Sequence, residues 1–388
     1  MKKLLLAATV ATLAMNAAQA APTLYGKLNV TLDNIDNNGF KDESVIKVNS
    51  NASRIGVKGE EKLTDNLSAV YLAEWEISAD GDGDVFKNRN RFVGIKSNGV
   101  ATLKVGQHDS YFKTAAGNNQ DIFNDHNELD MTAVLAGEDR PKNIIGFETD
   151  KKLLGGLAFN IMFQQGENAA TSATAKTSTT SLAGVTKETT VVTNYGLKDA
   201  RDGFGDGVSA SLTYENKDMG LAAAVAANRA IASKFNAYDL SGIYTDAVRV
   251  TGSLDLGAMG ASGLVLGALW QTAKPTDDVV AVITTTKETN KPDTVKNNSF
   301  KGLKEDAYGV TAAYAIPSTP VKLKAQYISA TTEVDGMKDR QQDLYGVGAD
   351  YQINKQARFY GIVAQQKRDW LASNDAKTVI GLGMEYNF

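Results

Sequence analysis

Segments of strictly alternating polarity recur along this chain and continue to its last residue. In the final segment, 378–388, one parity is apolar and comprises Ile380, Leu382, Met384, Tyr386 and Phe388. The other parity is small or polar. Successive side chains of a strand point to opposite faces, so this segment reads as a strand with one apolar face. Such a strand needs a neighbour at its edge, and we expect the segment 23–34 to pair with it and close a barrel.

Sixteen segments follow this pattern, and their period of two excludes a helix. They lie near 23–34, 45–61, 65–78, 88–98, 100–108, 141–150, 156–166, 207–216, 220–230, 236–256, 261–273, 306–315, 320–329, 343–352, 357–367 and 377–388. The segment 236–256 is long enough to be one strand or two. Short turns alternate with long polar loops, of which 166–207 and 274–305 are the longest. This asymmetry is typical of outer-membrane barrels. The sequence therefore predicts an all-β, 16-stranded antiparallel transmembrane β-barrel with an aqueous lumen.

The first twenty residues predict where the protein is sent. Lys2 and Lys3 precede an apolar run over 4–14, and Ala18-Gln19-Ala20 fits a signal-peptidase cleavage site. We expect residues 1–20 to be a signal peptide and 21–388 to be one barrel domain. The predicted location is the bacterial outer membrane, crossed many times.

The sequence lacks the residue sets that several kinds of chemical function require. The chain has no cysteine, and His108 and His126 do not have the spacing of a helical zinc pair. No Ser–His–acid set, phosphate-binding loop or dinucleotide motif is present. The run from Asp80 to Asp84 departs from an EF-hand at the sixth and twelfth positions. We therefore expect no enzyme activity, no cofactor and no metal site.

Motifs at both ends of the chain resemble the trimeric general porins of the enterobacterial and neisserial type. They are 24–27 (LYGK), 53–60 (SRIGVKGE), 75–76 (WE), 89–96 (RNRFVGIK), 345–355 and the terminal 386–388 (YNF). The resemblance implies a homotrimeric water-filled channel for passive diffusion of small hydrophilic solutes and ions. It also implies contact with outer-membrane lipid and lipopolysaccharide, and no nucleic-acid partner. Tyr386 and Phe388 would belong to the family's assembly signal.

The resemblance also implies a pore constriction. The third loop, 109–139, would fold into the barrel and set acidic residues against a basic wall. The basic residues carried over are Lys27, Arg54, Arg89, Arg91 and Arg140, and the acidic residues are Asp121, Asp125, Glu128 and Asp130. Asp121 and Asp125 lie in the middle of the loop and are preferred. Arg91 is expected to share the face of Arg89, from which it is two residues away. The enterobacterial run Pro-Glu-Phe-Gly-Gly-Asp is absent, which leaves the ion preference open.

Alternation alone supports the inward direction of two of these residues. Lys27 and Arg54 lie on the non-lipid parity of their strands, and a charge facing lipid near the midplane costs roughly 2–4 kcal/mol. Aromatic residues near strand ends fit interfacial girdles; they include Tyr25, Trp75, Tyr351, Trp370 and Tyr386. Small outward residues are expected on the first and last strands, where subunits would pack.

The sequence is also compatible with two other functions. The chain could be a substrate-specific porin, whose pore lining selects a solute class. It could instead be a surface adhesion or receptor barrel that acts through the long loops 166–207 and 274–305.

Overall fold

The computed structural model describes residues 21–83, 86–123, 125–180 and 186–388. The predicted signal peptide lies outside these residues. The strands are β1 (Thr23–Asp36), β2 (Val45–Ser50), β3 (Arg54–Lys62), β4 (Leu67–Glu76), β5 (Lys87–Ser97), β6 (Ala101–Gln107), β7 (Ile144–Thr149), β8 (Leu157–Gln164), β9 (Ser172–Thr180), β10 (Thr186–Asn194), β11 (Gly207–Asn216), β12 (Leu221–Phe235), β13 (Leu240–Asp255), β14 (Leu264–Pro275), β15 (Ala281–Glu288), β16 (Thr294–Ser299), β17 (Lys304–Ala315), β18 (Val321–Glu333), β19 (Arg340–Gln352), β20 (Ala357–Arg368) and β21 (Ala376–Asn387).

Helical structure in the described residues is limited to single turns. Two are α-helical, at Tyr111–Thr114 and Gly117–Gln120; the 3-10 turns are Asn38–Phe40, Met131–Ala133, Asn236–Tyr238 and Leu256–Met259. Among the residues described, no helix has the length and apolar character needed to cross a membrane.

The first and last strands close the sheet, as predicted. β1 pairs antiparallel with β21 from Lys27 opposite Asn387 to Asp36 opposite Thr378. On its other side β1 pairs first with β3 and then with β2. β2 and β3 are thus one wall strand, interrupted at 51–53. Counted in this way, the described residues form the predicted 16-stranded antiparallel barrel, and the segment 236–256 contributes one strand, β13.

The outer face of β21 carries large apolar side chains. Ile380 and Leu382 are 55% and 69% exposed. Gly381 and Gly383 lie on the other parity, where a Cβ would be 2.3 Å from Asp33 Oδ1 and from Tyr360 Cζ. The expectation of small outward residues is therefore wrong for this strand. Its glycines face the lumen, where they make room for side chains of the neighbouring strands.

The two longest loops contain a second sheet. β9 pairs with β10, β10 with β15, and β15 with β16, giving the strand order β16-β15-β10-β9. The segments 166–207 and 274–305, which the sequence predicts only as long polar loops, thus contain four strands among the described residues. Their threonine, valine and isoleucine residues favour extended backbone, and the two hairpins pair with each other.

The third loop, 108–143, fills part of the lumen. Its apolar side chains pack on inward-facing apolar residues of the wall; this cluster includes Phe123, Leu129, Met131, Val134 and Leu135 of the loop with Ile328, Leu344, Tyr360 and Ile362 of the wall. Gly346 allows the approach, since a Cβ there would lie 2.4 Å from Leu129 Cδ2. The barrel therefore has a hydrophobic core between loop and wall, beside an open passage, whereas the sequence predicted only an aqueous lumen.

Candidate pore constriction

A cavity of about 860 Å³ lies in the lumen between the third loop and the strands β1, β3, β4 and β5. Lys27, Arg54 and Arg89 reach it because they lie on the inward parity of β1, β3 and β5. Two adjoining cavities continue along the lumen; the first shares Asn90 and Asp109 with the constriction, and the second borders the helical turns of the loop. Polar side chains dominate the lining of the cavity of about 860 Å³.

Asp125 of the loop is clamped by two wall cations. Arg54 donates two hydrogen bonds to its carboxylate, 3.1 Å to Oδ1 and 2.8 Å to Oδ2. Lys27 Nζ also contacts Oδ2. Asp125 is held in the left-handed region with φ 71°. Burial acts to raise the pKa of Asp125, but Arg54 and Lys27 outweigh it and lower this pKa to about 2. The acid thus contacts the basic wall directly, without an open gap between them.

Two wall acids that were not predicted, Glu74 and Glu76, also line the cavity. Glu74 Oε1 accepts a hydrogen bond of 2.6 Å from Arg89, and its Oε2 accepts one of 2.9 Å from Tyr25. Arg89 also donates to Glu76 Oε2 at 3.2 Å. Glu74 and Glu76 share the inward parity of β4, which was the available sequence signal. Tyr25 faces the lumen as well, so its assignment to an aromatic girdle is wrong.

These contacts belong to one continuous row of charges that we call the charge chain. Neighbours in it are within 4 Å and alternate in sign: Lys324, Asp350, Arg358, Glu385, Lys27, Asp125, Arg54, Glu74, Arg89 and Glu76. It crosses the closure between β21 and β1. Five cations face five anions, so most of the fixed charge on this wall is compensated locally.

Two other predicted basic residues lie in different places. Arg140 lines the cavity, with its guanidinium 2.9 Å from Asp109 and donating to Asn90 Oδ1 at 2.7 Å. Arg91 does not share the face of Arg89. The register of β4 with β5 shifts between Ala73 and Trp75, and Arg91 pairs with Ala73 on the outward parity. A bulge adds one residue and reverses the alternation beyond it, so the prediction for Arg91 is wrong.

The remaining predicted acids separate into three environments. Asp130 lines the cavity and caps the turn at Met131–Ala133, its Oδ1 accepting from Thr132 N at 2.7 Å. Glu128 lies elsewhere, 2.5 Å from Lys377 of β21. Asp121 is absent from the cavity lining, and its Oδ1 is buried without a hydrogen-bond partner among the described residues. Burial, together with Asp130 and Glu138, raises the pKa of Asp121 well above its usual range.

A buried arginine anchors the loop on the opposite wall. Arg249 of β13 is fully buried and lies 2.5 Å from Glu138 Oε1. Its guanidinium also donates to Gln271 Oε1 and stacks 4.3 Å from the ring centroid of Phe112. Sequence reasoning missed Arg249, although it lies on the inward parity of its strand.

Wall side chains also fasten the loop through its backbone. Glu305 accepts from Ala136 N at 2.8 Å, and Gln326 donates to Leu129 O at 2.7 Å. Ser209 accepts from Phe112 N at 3.1 Å. Together with the ion pairs that Asp125, Glu128 and Glu138 make with the wall, these bonds fix the path of the loop across the lumen.

The residues considered for metal binding lie apart. His108 packs against Tyr111 with ring centroids 5.4 Å apart, and His126 packs against Tyr360 at 6.4 Å. Asp80 accepts from Ser50 N at 2.8 Å and from the hydroxyl of Ser78 at 2.7 Å, while Asp84 lies outside the described residues. Within the described part of the chain, no group of three His, Asp or Glu side chains is placed to hold a metal ion.

Comparisons with known proteins agree with this architecture. A family profile described as Gram-negative porin matches residues 6–370. A major outer membrane protein P.IB of Neisseria meningitidis serogroup B is 31% identical over 176 residues, 44% of this chain and 51% of that protein. The chain spans about half the length of the neisserial relatives it matches.

Solved structures share the fold over nearly the whole chain. The anion-selective porin from Comamonas acidovorans superposes with a TM-score of 0.65 and 17% identity, covering 95% of this chain and 100% of that one. The in-vitro folded OmpT of Vibrio cholerae, in its trimer form, superposes with a TM-score of 0.52 and 15% identity, with coverage of 95% and 100%.

Proposed function

This chain belongs to the Gram-negative porin family, and we propose that it forms a water-filled channel of the bacterial outer membrane for passive diffusion of small hydrophilic solutes and ions. The observation that carries the proposal is the polar passage beside the third loop. Its constriction has a volume of about 860 Å³ and is lined by charged side chains of both signs. Fixed charges around a narrow lumen select solutes by electrostatics and size, without a tight binding step. No covalent chemistry is included in this proposal.

The constriction is proposed to consist of a basic wall and loop acids. Lys27, Arg54, Arg89 and Arg140 supply the cations. Asp125 and Asp130 supply loop acids, with Glu74 and Glu76 as acids of the wall. Because the charge chain compensates most of these groups, we expect weak ion preference in the wild-type channel. Solutes that are small and polar would pass, whereas apolar solutes would have to displace ordered water around the charges.

Planar bilayers test the proposal. Folded, purified protein should give stepwise conductance increases that scale with the KCl concentration, as expected for an aqueous pore. Sugars of increasing size should swell protein-containing liposomes at decreasing rates. Heat-denatured protein from the same preparation is the control. Folded protein that gives no conductance at any KCl concentration would rule out the channel.

We propose a homotrimer in contact with outer-membrane lipid and lipopolysaccharide. The Vibrio cholerae neighbour is described in a trimer form. Large exposed apolar side chains on β1 and β21, such as Leu32 and Leu382, need lipid or a second subunit to cover them. Unboiled protein should migrate as a trimer in SDS gels and collapse to one subunit on boiling. Migration as a monomer before boiling would contradict this assembly.

The sheet formed by β9, β10, β15 and β16 favours a second function, the binding of a macromolecule outside the cell. Its outer strands β9 and β16 each pair on one side only, and such strand edges can accept another chain. Deleting 171–194 should abolish surface binding and leave conductance unchanged. Loss of conductance with binding retained would contradict this second function.

A further inference from the structure

We propose that the long-loop end of the lumen holds a binding track for small aromatic carboxylates. Its members alternate between aromatic rings and cations: Tyr238, Arg340, Trp370, Arg368, Phe40 and Lys377. We call this row the vestibule track. The inference rests on the proposed channel, because a solute must enter the lumen to meet it.

Close stacking defines the track. The guanidinium carbon of Arg340 lies 4.0 Å from the ring centroid of Tyr238 and 5.3 Å from that of Trp370. Arg368 lies 4.3 Å from the centroid of Phe40 and 5.6 Å from that of Trp370. Trp370 is therefore shared by two guanidinium groups. Distances below about 6 Å are those of cation–π contacts.

The cations of the track face the lumen. Arg368 shares the parity of Gln366, whose amide donates to Glu128 O of the third loop at 3.1 Å. Lys377 pairs with Gln366 across β20 and β21 and contacts the same Glu128. Arg340 shares the parity of the buried Gln342 on β19. The track thus leads inward from the rim and ends at the loop that narrows the passage.

Two of the three cations have no carboxylate within 4 Å in the part of the chain that the structure describes. Lys377 is paired with Glu128 at 2.5 Å. Arg340 donates one hydrogen bond, to Ala237 O at 2.7 Å. Within the described residues, Arg368 makes no side-chain hydrogen bond, and neither arginine has a carboxylate within 4 Å. This contrasts with the charge chain, where each charge has a partner within 4 Å. The acid that acts on Arg368 is Asp239, beside Tyr238, and it lies beyond that distance, so no carboxylate of the described residues occupies the N–H edge of Arg368.

The chemistry of a stacked guanidinium indicates the ligand. Stacking occupies the face of the group and leaves its planar N–H edge available, and this edge matches a carboxylate in bidentate geometry. The rings of Phe40 and Trp370 lie next to the guanidinium of Arg368 and can contact an aromatic ring of the ligand. A carboxylate attached to an aromatic ring satisfies both parts of the site. A simple anion would interact only with the cations of the track and would make no contact with the aromatic rings.

Tryptophan fluorescence tests binding separately from conduction. In a Trp75→Phe/Trp270→Phe background only Trp370 reports. We expect 4-nitrobenzoate to quench it saturably in detergent solution, and the neutral 4-nitrobenzyl alcohol to quench only by collision. Arg368→Gln should weaken the saturable component by about tenfold or more, since it removes a charge-assisted hydrogen bond. Arg368→Lys keeps the positive charge, and this variant should retain part of the saturable quenching.

The matched control is Lys367→Gln, which removes one cation from the outward parity of the same strand and should leave quenching unchanged. Equal quenching by the acid and the alcohol, or an unchanged response in Arg368→Gln, would overturn the track. A channel that conducts but shows no saturable quenching refutes this inference alone. Saturable quenching by a protein that never conducts refutes the channel function and leaves the binding site standing.

Discussion

Arg249 and Glu138 form an ion pair of 2.5 Å whose side chains are 0% and 3% exposed. The pair joins β13 to the returning end of the third loop, while Asp125 joins the middle of the loop to β1 and β3. The loop that narrows the passage is therefore fixed by charge on two separate strand groups.

Replacing Arg249 by Met should free the returning end of the loop. It leaves Glu138 buried without its partner, which typically costs about 3–5 kcal/mol. We expect a lower melting temperature of the folded band in SDS gels and a noisier single-channel current. A double variant, Arg249→Met/Glu138→Leu, removes both charges and should recover much of the loss. Equal damage in the single and double variants would mean that the ion pair does not hold the loop.

Charge substitutions at the clamp should shift ion preference in opposite directions. Arg54→Ser removes a cation and should shift the channel toward cations, whereas Asp125→Asn frees two cations and should shift it toward anions. Unit charges 4 Å apart in water interact by about 1 kcal/mol, so we expect permeability ratios to change by roughly fivefold. The shift in each variant is measured from its reversal potential in a KCl gradient.

Lys62→Ser is the control for these variants, because Lys62 does not line the cavity that holds Arg54 and Asp125, and it pairs with the exposed Asp65. Its reversal potential should match the wild type. An unchanged potential in Arg54→Ser would show that Arg54 does not line the throat.

The free energy of unfolding should depend on pH through the titration of the Asp139 carboxyl. Burial raises the pKa of Asp139 to about 7, against an opposing hydrogen bond from Ser233, with Glu138 also raising it. The folded state then binds more protons than the unfolded state between pH 4 and 7. Stability contributed by this group is present at low pH and lost as pH rises through this range.

Asp139→Asn should therefore stabilise the protein at pH 8, by up to about 4 kcal/mol, and have little effect near pH 4. The melting temperature of the folded band at the two pH values measures the difference. Asp65→Asn, at a 94% exposed side chain, should show no such dependence. A benefit of Asp139→Asn that is the same at both pH values would argue against titration of this carboxyl.

Deleting Phe388 should impair assembly more than conduction. Phe388 and Gly26 exchange both backbone hydrogen bonds, at 2.9 and 3.0 Å, and the ring of Phe388 covers Gly26 on the outer face. We expect less folded protein in the outer membrane and unchanged conductance in the channels that form. Met384→Ala, which trims an outward side chain equally exposed at 44%, should assemble at nearly the wild-type level. Similar assembly of both variants would exclude a special role for Phe388.

Strand positions were predictable because each strand depends on a local pattern of period two. Pairing of β1 with β21 followed from the need to cover their edges. Arg91 shows where such reasoning ends, since one extra residue at a bulge reverses every face beyond it. The extra residue cannot be recognised from the polarity pattern of β5 alone, because the bulge depends on how β5 pairs with β4.

The path of the third loop was less predictable. Phe123 and Leu129 lie in irregular backbone, so their apolar character indicated burial without indicating the partner. The glycine at 346 that receives Leu129 is more than two hundred residues away in the sequence. Likewise, Arg249 could be placed on an inward face, but its pairing with Glu138 depends on the loop fold. The sheet in the two long loops forms because a hairpin of one loop pairs with a hairpin of the other. Each hairpin has an ordinary polar sequence, so the pairing between them could not be predicted.

The alternating signs of the charge chain have a consequence for how this wall can change over generations. A single substitution that removes Asp125 or Glu74 leaves two like charges as neighbours on a confined surface. A second substitution that removes or reverses one of those neighbours restores the balance. We therefore expect that, in related sequences, a change at one of these positions is accompanied by a change at a neighbouring position of opposite charge.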